Sequence, residues 1–178
     1  MLTTILVILV VVIAIILLLA MSKPNSYRVE RSATIQAPPE RIFPLINDFH
    51  NWPRWSPWEK LDPAMKKDMG GSPSGAGSFY AWEGNSKAGK GRMEITESDP
   101  PRRVKVDLNF IKPFKSNNVT EFHLQPRDTG TNVHWTMDGP APLPTKVMMV
   151  FMNMDKMVGR DFDEGLANLK RVAETSPP

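Results

Sequence analysis

The stretch TKVMMVFMNMDKMVGRDFDEGLANLKRVAE, residues 145–174, decides the fold. Apolar side chains recur in it every three or four positions, which is the spacing of one face of an α-helix. These side chains are Val147, Phe151, Met154, Val158, Phe162, Leu166, Leu169 and Val172. The turn GPAPLP at residues 139–144 separates the stretch from what precedes it. We therefore expect one long amphipathic helix from about residue 145 to 174, with its apolar face against a sheet.

The region before this helix consists of short runs that alternate between apolar and polar residues, as half-buried β-strands do. A first strand is predicted at 27–36, followed by a helical segment that the prolines of APPERIF, residues 37–43, begin. Further strands are predicted at 65–69, 78–84, 90–98, 103–110, 118–125 and 131–137. Turn signals between them indicate an antiparallel meander. The predicted fold class is α+β, a helix-grip in which an antiparallel sheet of about seven strands curls around the long helix.

The run from Leu2 to Met21 is apolar apart from two threonines, and it carries no charge. As a helix it spans about 30 Å, which matches the hydrocarbon core of a bilayer. It has no amphipathic stripe, and a domain of this size has no interior that would enclose it. We predict a transmembrane anchor at 1–22, a linker at 23–26, a folded domain at 27–174 and a tail at 175–178.

A cleaved signal peptide is the alternative interpretation of this run. Ala20-Met21-Ser22 fits a small-x-small cleavage site, but no Lys or Arg precedes the run, which is also longer than the apolar part of a signal peptide. Lys23, Arg28 and Arg31 follow the run, and positive flanks remain in the cytoplasm. We expect a single-pass membrane protein that contacts the bilayer through residues 2–21 and has a cytoplasmic domain.

Composition excludes several classes of function. The chain has no Cys, and therefore neither a disulfide nor a thiolate metal site. Its formal net charge of +3 is too small for a nucleic-acid footprint. His50, His123 and His134 lack the spacing of helical metal ligands, and no nucleophile elbow or phosphate-binding glycine loop is present. We predict no metal, no cofactor and no nucleic-acid partner, and we assign no catalytic residue.

Six short motifs have the character of a known superfamily. They are APPERIF at 37–43, WPRWSPW at 52–58, YAWEG at 80–84, GKGRMEI at 89–95, GTNVHW at 130–135 and DFDEGLANLK at 161–170. Together they resemble the SRPBCC (START-like) superfamily, in its polyketide cyclase/dehydrase-like branch. The resemblance covers about residues 27–174 and implies an apolar cavity between the sheet and the long helix. The superfamily includes lipid carriers, hormone binders, cyclases and co-chaperones, so it implies no shared catalytic motif.

The side chains expected to line this cavity are mostly aromatic residues and methionines. The candidate ligand-binding residues are Trp55, Trp58, Trp82, Phe110, Phe122, Trp135, Met137, Phe151, Met152, Met154 and Phe162. Aromatic walls suit flat or amphipathic ligands, and methionine adapts to variable apolar ones. Ordinary core packing is the alternative role for the same side chains.

Three functions are compatible with the sequence. The first is a membrane-anchored module that binds or transfers a small hydrophobic ligand, lipid-like or polyketide/isoprenoid-like, in the cavity. The second is a cyclase/dehydrase-type enzyme, which needs Asp138 or Glu83 buried in the cavity as a general acid or base. The third is a non-catalytic interaction or stress-response module, in which a filled core brings Trp55, Trp135 and Met152 together.

A further candidate is the turn IKPFKS at 111–116, where Lys112 and Lys115 flank Phe114. Basic residues around an exposed aromatic ring are suited to an anionic membrane face. An ordinary surface loop is the alternative.

Overall fold

The alternating runs form one antiparallel sheet of seven strands in the computed structural model, which describes residues 1–175 of the chain. The strands are β1 (Ser26–Ile35), β2 (Lys66–Gly71), β3 (Ser78–Glu83), β4 (Lys90–Asp99), β5 (Arg103–Lys112), β6 (Ser116–Arg127) and β7 (Gly130–Pro140). Their order is β1-β7-β6-β5-β4-β3-β2. Residues 176–178 of the predicted tail lie outside the described residues.

Four α-helices accompany the sheet in the described part of the chain. They are α1 (Leu2–Met21), α2 (Pro39–Asn47), α3 (Leu143–Phe151) and α4 (Met154–Thr175). The tryptophan-rich segment forms two short 3₁₀ helices, Phe49–Arg54 and Pro57–Lys60, because its prolines prevent a longer helix.

Trp135 on β7 is the centre of the interior. Its indole ring stacks on Phe162 of α4 at a centroid distance of 3.9 Å and on Phe122 of β6 at 4.7 Å. The Trp55 ring lies edge-on to the Trp135 ring at a centroid distance of 5.7 Å, and the Trp58 ring, on the second 3₁₀ helix, lies edge-on to it at the same distance. We call Trp55, Trp58, Phe122, Trp135 and Phe162 the aromatic cluster. Trp58 is partly exposed, and the other four members are buried, so the cluster fills the space between sheet and helix.

The buried indole N–H groups of this region are satisfied. Trp135 Nε1 donates to Thr120 Oγ1 at 2.8 Å, and Trp55 Nε1 donates to the Leu45 carbonyl at the same distance. Gly165 allows α4 to approach the Trp135 ring, because a Cβ at this position would lie 2.8 Å from it. The interior therefore combines close aromatic packing with paired donors, which favours a single well-ordered arrangement.

The predicted single helix over 145–174 is wrong, because the chain breaks between α3 and α4. Met152 is extended, and Asn153 Oδ1 accepts a hydrogen bond from the Lys156 amide at 3.0 Å, as an N-cap does. Phe151 and Met152 are 68% and 45% exposed. Their expected inward orientation is therefore also wrong, because α3 packs against α1 instead of the sheet.

Arg31 of β1 holds the start of α4. Its guanidinium contacts the Asp155 carboxylate at 2.8 Å and the Asp163 carboxylate at 3.3 Å. Gly159 provides the room, because a Cβ there would lie 2.0 Å from Arg31 Nη2. At its other end, α4 receives a hydrogen bond from the Gln36 amide through Glu174. Helix α4 therefore lies along β1 from Arg31 to Gln36.

Helix α1 is long and apolar enough to cross a membrane, and Ala20 is its only buried residue. Four residues, Ser22 to Asn25, connect it to β1. The Ala141 amide donates to the Asn25 carbonyl at 2.7 Å, which ties this connection to the end of β7. The end of α1 is thereby held beside one edge of the sheet.

Replacing Trp135 tests the central role of the stack. We expect Trp135→Ala to lower the free energy of unfolding by about 3–5 kcal/mol, because it removes the ring that joins α4 to the sheet. Denaturation of the full chain in mild detergent, followed by far-ultraviolet circular dichroism, measures the change. Leu61→Ala, at an exposed position, is the control and should stay within about 0.5 kcal/mol of the unsubstituted chain. Equal effects of the two substitutions would contradict the assignment.

Candidate functional site

The concave face of the sheet is covered unevenly. Arg31 meets the first turns of α4, at Asp155 and Asp163, and the first half of β1 lies on the side of Arg31 away from the C-terminal end of the helix. Two rows of side chains cross the sheet there, and we call them the open rows. The inner open row is Tyr27, Gly139, Asn118, Leu108, Met93 and Tyr80, and the outer open row is Ser116, Phe110, Gly91 and Trp82.

Aromatic side chains form the wall of the open rows. The Trp82 ring lies edge-on to Phe110 at 5.8 Å and is stacked with Tyr80 at 6.2 Å. Gly91 leaves space for this ring, because a Cβ there would lie 2.4 Å from Trp82. Trp82, Phe110 and Leu108 are only partly buried, so they present an apolar surface beyond the end of α4.

Asn118 is a buried polar group within the inner open row. Its side-chain oxygen accepts hydrogen bonds from the Tyr27 hydroxyl at 2.9 Å and from Ser116 Oγ at 3.1 Å. Its Nδ2 is buried and has no hydrogen-bond partner among the described residues, although the residue is only 3% exposed. A buried donor without a partner costs about 1–3 kcal/mol, so an acceptor from a ligand would relieve a standing penalty.

A second polar cluster lies where a 3₁₀ helix meets β2 and β3. The Tyr80 hydroxyl donates to Glu59 Oε1 at 2.8 Å, and Lys67 forms an ion pair with the same carboxylate, whose side chain is 9% exposed. Burial, and then the neighbouring carboxylate, raise the pKa of Tyr80 above its ordinary value. Sequence reasoning missed Glu59, because no spacing links it to Tyr80 or Lys67.

The predicted ligand-binding residues separate into three groups. Trp55, Trp58, Phe122, Trp135 and Phe162 form the aromatic cluster and fill the interior. Trp82 and Phe110 lie together in the open rows, with buried Met137 one row further in. Met154 begins α4, whereas Phe151 and Met152 are exposed on and after α3.

The expected meeting of Trp55, Trp135 and Met152 is therefore only half present, because Met152 is outside. Two cavities, of about 120 and 270 Å³, lie beside the β2–β3 turn and between α1 and α3. Neither is lined by the aromatic cluster.

The two carboxylates that an acid/base mechanism required are not in the interior. Asp138 pairs with Arg28 at 2.9 Å, and Glu83 pairs with Lys90 at 2.9 Å, all on well-exposed side chains. His123 and His134 are directly opposed on β6 and β7, and both are partly exposed. Within residues 1–175, no group of His, Asp and Glu side chains has an arrangement that could hold a metal ion.

A curled antiparallel sheet with a C-terminal helix laid across it is the helix-grip α+β class of protein. A family model described as "Polyketide cyclase / dehydrase and lipid transport" matches residues 26–174. The chain belongs to this family, which confirms both the resemblance and the fold class expected from the sequence. No curated protein matches the chain.

Solved structures have the same fold at low sequence identity. Protein MLL2253 from Mesorhizobium loti superposes with a TM-score of 0.63 at 17% identity, covering 85% of this chain and 100% of that one. The Aha1 dimer from Colwellia psychrerythraea gives 0.58 at 17%, with coverages of 85% and 99%. The di-domain ARO/CYC BexL from the BE-7585A biosynthetic pathway gives 0.61 at 12%, with coverages of 89% and 53%. At these identities the similarity shows the fold alone.

Alkaline titration tests the polar groups of the inner open row, because Tyr27 and Tyr80 are the two tyrosines of the chain. Burial raises the pKa of both above 10.0. We expect each tyrosine to be less than half ionised at pH 10.0 in ultraviolet absorbance, and Glu59→Gln to lower the pKa of Tyr80 by removing its anionic partner. Tyr27→Phe assigns the signals.

The same shifts set a pH dependence of stability. Because the folded pKa values are raised, the stability that these tyrosines contribute is fully present below pH 10.0 and is lost as pH rises toward the folded values. If both tyrosines were more than half ionised at pH 10.0 in the folded chain, their burial would be contradicted.

Proposed function

We propose that the protein is a membrane-anchored module that binds a small hydrophobic ligand on the open rows of its sheet. The observation that carries this proposal is the partly exposed apolar wall of Leu108, Phe110 and Trp82 beside the end of the sheet where α1 enters. The family description, which includes lipid transport, supports ligand binding in general. Because the aromatic cluster fills the interior, the ligand lies at the open rows and not within an enclosed cavity.

The packing of α3 supports retention of α1 as an anchor. Helix α3 carries the apolar segment VMMV at residues 147–150, which is partly buried, and it packs against α1. Cleavage near Ser22 would remove that cover and expose a contiguous apolar surface, which soluble proteins avoid. The positive residues after α1 favour a cytoplasmic position of the folded domain.

The open rows favour an amphipathic ligand. An apolar tail along Leu108, Phe110 and Trp82 removes their exposed area from water, at about 25 cal/mol per Å². The unpaired Nδ2 of Asn118 then donates to an acceptor oxygen at the ligand's polar end. The ligand class is therefore a single-chain amphiphile that carries a hydroxyl, carbonyl or carboxylate group.

A cyclase/dehydrase-type reaction is the second candidate, and Glu59 is the observation that favours it. Its carboxylate is nearly buried and contacts Tyr80, which belongs to the inner open row. A general acid or base in this fold needs such a group near the ligand. If the chain converts a bound polyketide-type substrate and Glu59→Gln abolishes the conversion, the enzyme is favoured. Release of an unchanged ligand would favour the binding module.

Filling the open rows tests the binding site. We expect Leu108→Trp to weaken binding of a fluorescent fatty-acid probe by the full chain in nanodiscs at least tenfold, about 1.4 kcal/mol, because the larger ring occupies the ligand's place. Asn109→Trp is the matched control, since residue 109 faces the opposite side of the same strand. Binding no stronger than partition into empty nanodiscs would refute the proposal.

Replacing Asn118 tests the polar contact. We expect Asn118→Leu to weaken binding of a probe with a carboxylate or hydroxyl end about tenfold, the value of one buried hydrogen bond, and to leave a hydrocarbon probe unaffected. Tyr27→Phe serves as the control, because it removes a neighbouring hydrogen bond and retains the Asn118 donor. Displacement titrations with both probes measure the difference. An equal loss for the two probes would show that Asn118 acts only through packing.

A further inference from the structure

The turn between β5 and β6 presents an apolar surface to solvent. Phe114, which is 67% exposed, lies in this turn, and Ile111, which is 43% exposed, lies at the end of β5; residues 111–115 together form the exposed end of the hairpin. We call these residues the basic tip, because Lys112 and Lys115 flank the aromatic ring and are themselves exposed. Lysine stems cover apolar surface while their charges stay in water, so the tip has the composition of an interfacial contact.

The basic tip is held in place by the neighbouring loop. Gly89 adopts φ +67° and lies so close to the Lys112 carbonyl that a Cβ there would be 2.4 Å from its oxygen. Lys90 stands opposite Lys112 in the register of β4 and β5. The loop therefore supports the turn from one side and places a further positive charge next to it.

The charges around the basic tip are predominantly positive. Lys90, Lys112 and Lys66 all lower the pKa of Glu83, which places these three cations around a single exposed carboxylate. Lys90 is the direct partner of that carboxylate, at 2.9 Å. Lys115 adds a further positive charge on the far side of Phe114. An anionic surface is the complementary partner.

The basic tip lies at the same end of the strands as the connection to α1. Strand β1 begins at this end and β5 ends there, with β7 and β6 between them. The tip is therefore about three strand spacings, or ~14 Å, from the start of β1. The four residues from Ser22 to Asn25 reach at most ~14 Å when fully extended. A bilayer that α1 crosses is thus within reach of the tip.

We propose that the basic tip is a second membrane contact, at which Phe114 enters the headgroup layer of an anionic bilayer and Lys112 and Lys115 bind its phosphates. This inference rests on the proposed anchoring by α1 and is independent of ligand binding. This second contact determines the orientation of the domain, since contacts at the start of β1 and at the end of β5 together direct the end of the strands that carries the open rows toward lipid.

The absence of Cys from the chain allows single labels to test this orientation. Asn117→Cys places a spin label next to the tip, and Asp128→Cys places one in the β6–β7 turn, at the opposite end of the strands. Both chains are reconstituted at full length in nanodiscs of phosphatidylcholine with or without phosphatidylserine. Power-saturation measurements with oxygen and a water-soluble nickel reagent then report whether each label is in lipid or in water.

We expect the label at 117 to be shielded from nickel and reached by oxygen in discs with phosphatidylserine, and the label at 128 to stay in water in both lipids. Lys112→Gln and Lys115→Gln should each lower the ratio of lipid-contacting to free tip about fivefold, and Phe114→Ser should lower it further. Arg127→Gln, at the opposite edge, is the charge-matched control and should change nothing.

A label at 117 that is equally accessible to nickel in both lipids and in all variants would overturn the proposal, provided that circular dichroism shows the folded chain. The fatty-acid probe is measured in the same discs. A tip in water with normal probe binding refutes the second contact alone. A shielded tip without probe binding supports the contact and refutes the ligand-binding function.

Discussion

The stack of Trp135 between Phe122 and Phe162 is the interaction on which the rest of the structure depends. It joins β6, β7 and α4 at one point, and Gly165 allows the close approach. Aromatic rings of this size fill the volume that a helix-grip fold otherwise leaves between sheet and helix. The apolar surface that remains partly exposed is formed by Leu108, Phe110 and Trp82 near the ends of β5 and β3.

The break between α3 and α4 follows from the same geometry. Once Arg31 and the aromatic stack have fixed α4, the preceding residues lie beyond the sheet's interior and need another apolar partner, which is α1. The helical spacing of apolar residues continues across the break because α4 buries one face against the sheet and α3 packs its apolar residues against α1. Periodicity reports that a face is buried without identifying the surface that buries it, so the sequence predicted one helix where Asn153 caps a second.

The strands, the face of the sheet on which each strand residue lies and the amphipathic C-terminal helix could be predicted from local patterns. Alternation and helical spacing are properties of neighbouring residues. Phe110 was assigned to the inner face on that basis, and its ring lies beside Trp82, a further predicted ligand-binding residue. Asn118 could not be predicted in this way. Its burial depends on Tyr27, which is 91 positions away, and on the space left by Gly139. Glu59 was missed for the same reason, since it lies on a 3₁₀ helix and its partners, Lys67 and Tyr80, lie on β2 and β3.

The position of the open rows bears on how a ligand would reach them. Moving an apolar chain through water costs about 0.8 kcal/mol for each methylene group, so a long chain leaves a bilayer slowly on its own. Open rows at the same end of the strands as the connection to α1 would receive such a chain directly from lipid, whereas the buried aromatic cluster closes the route through the interior. The filled core and the partly exposed wall are therefore two parts of one arrangement, in which the anchor and the basic tip would keep Leu108, Phe110 and Trp82 at the membrane surface.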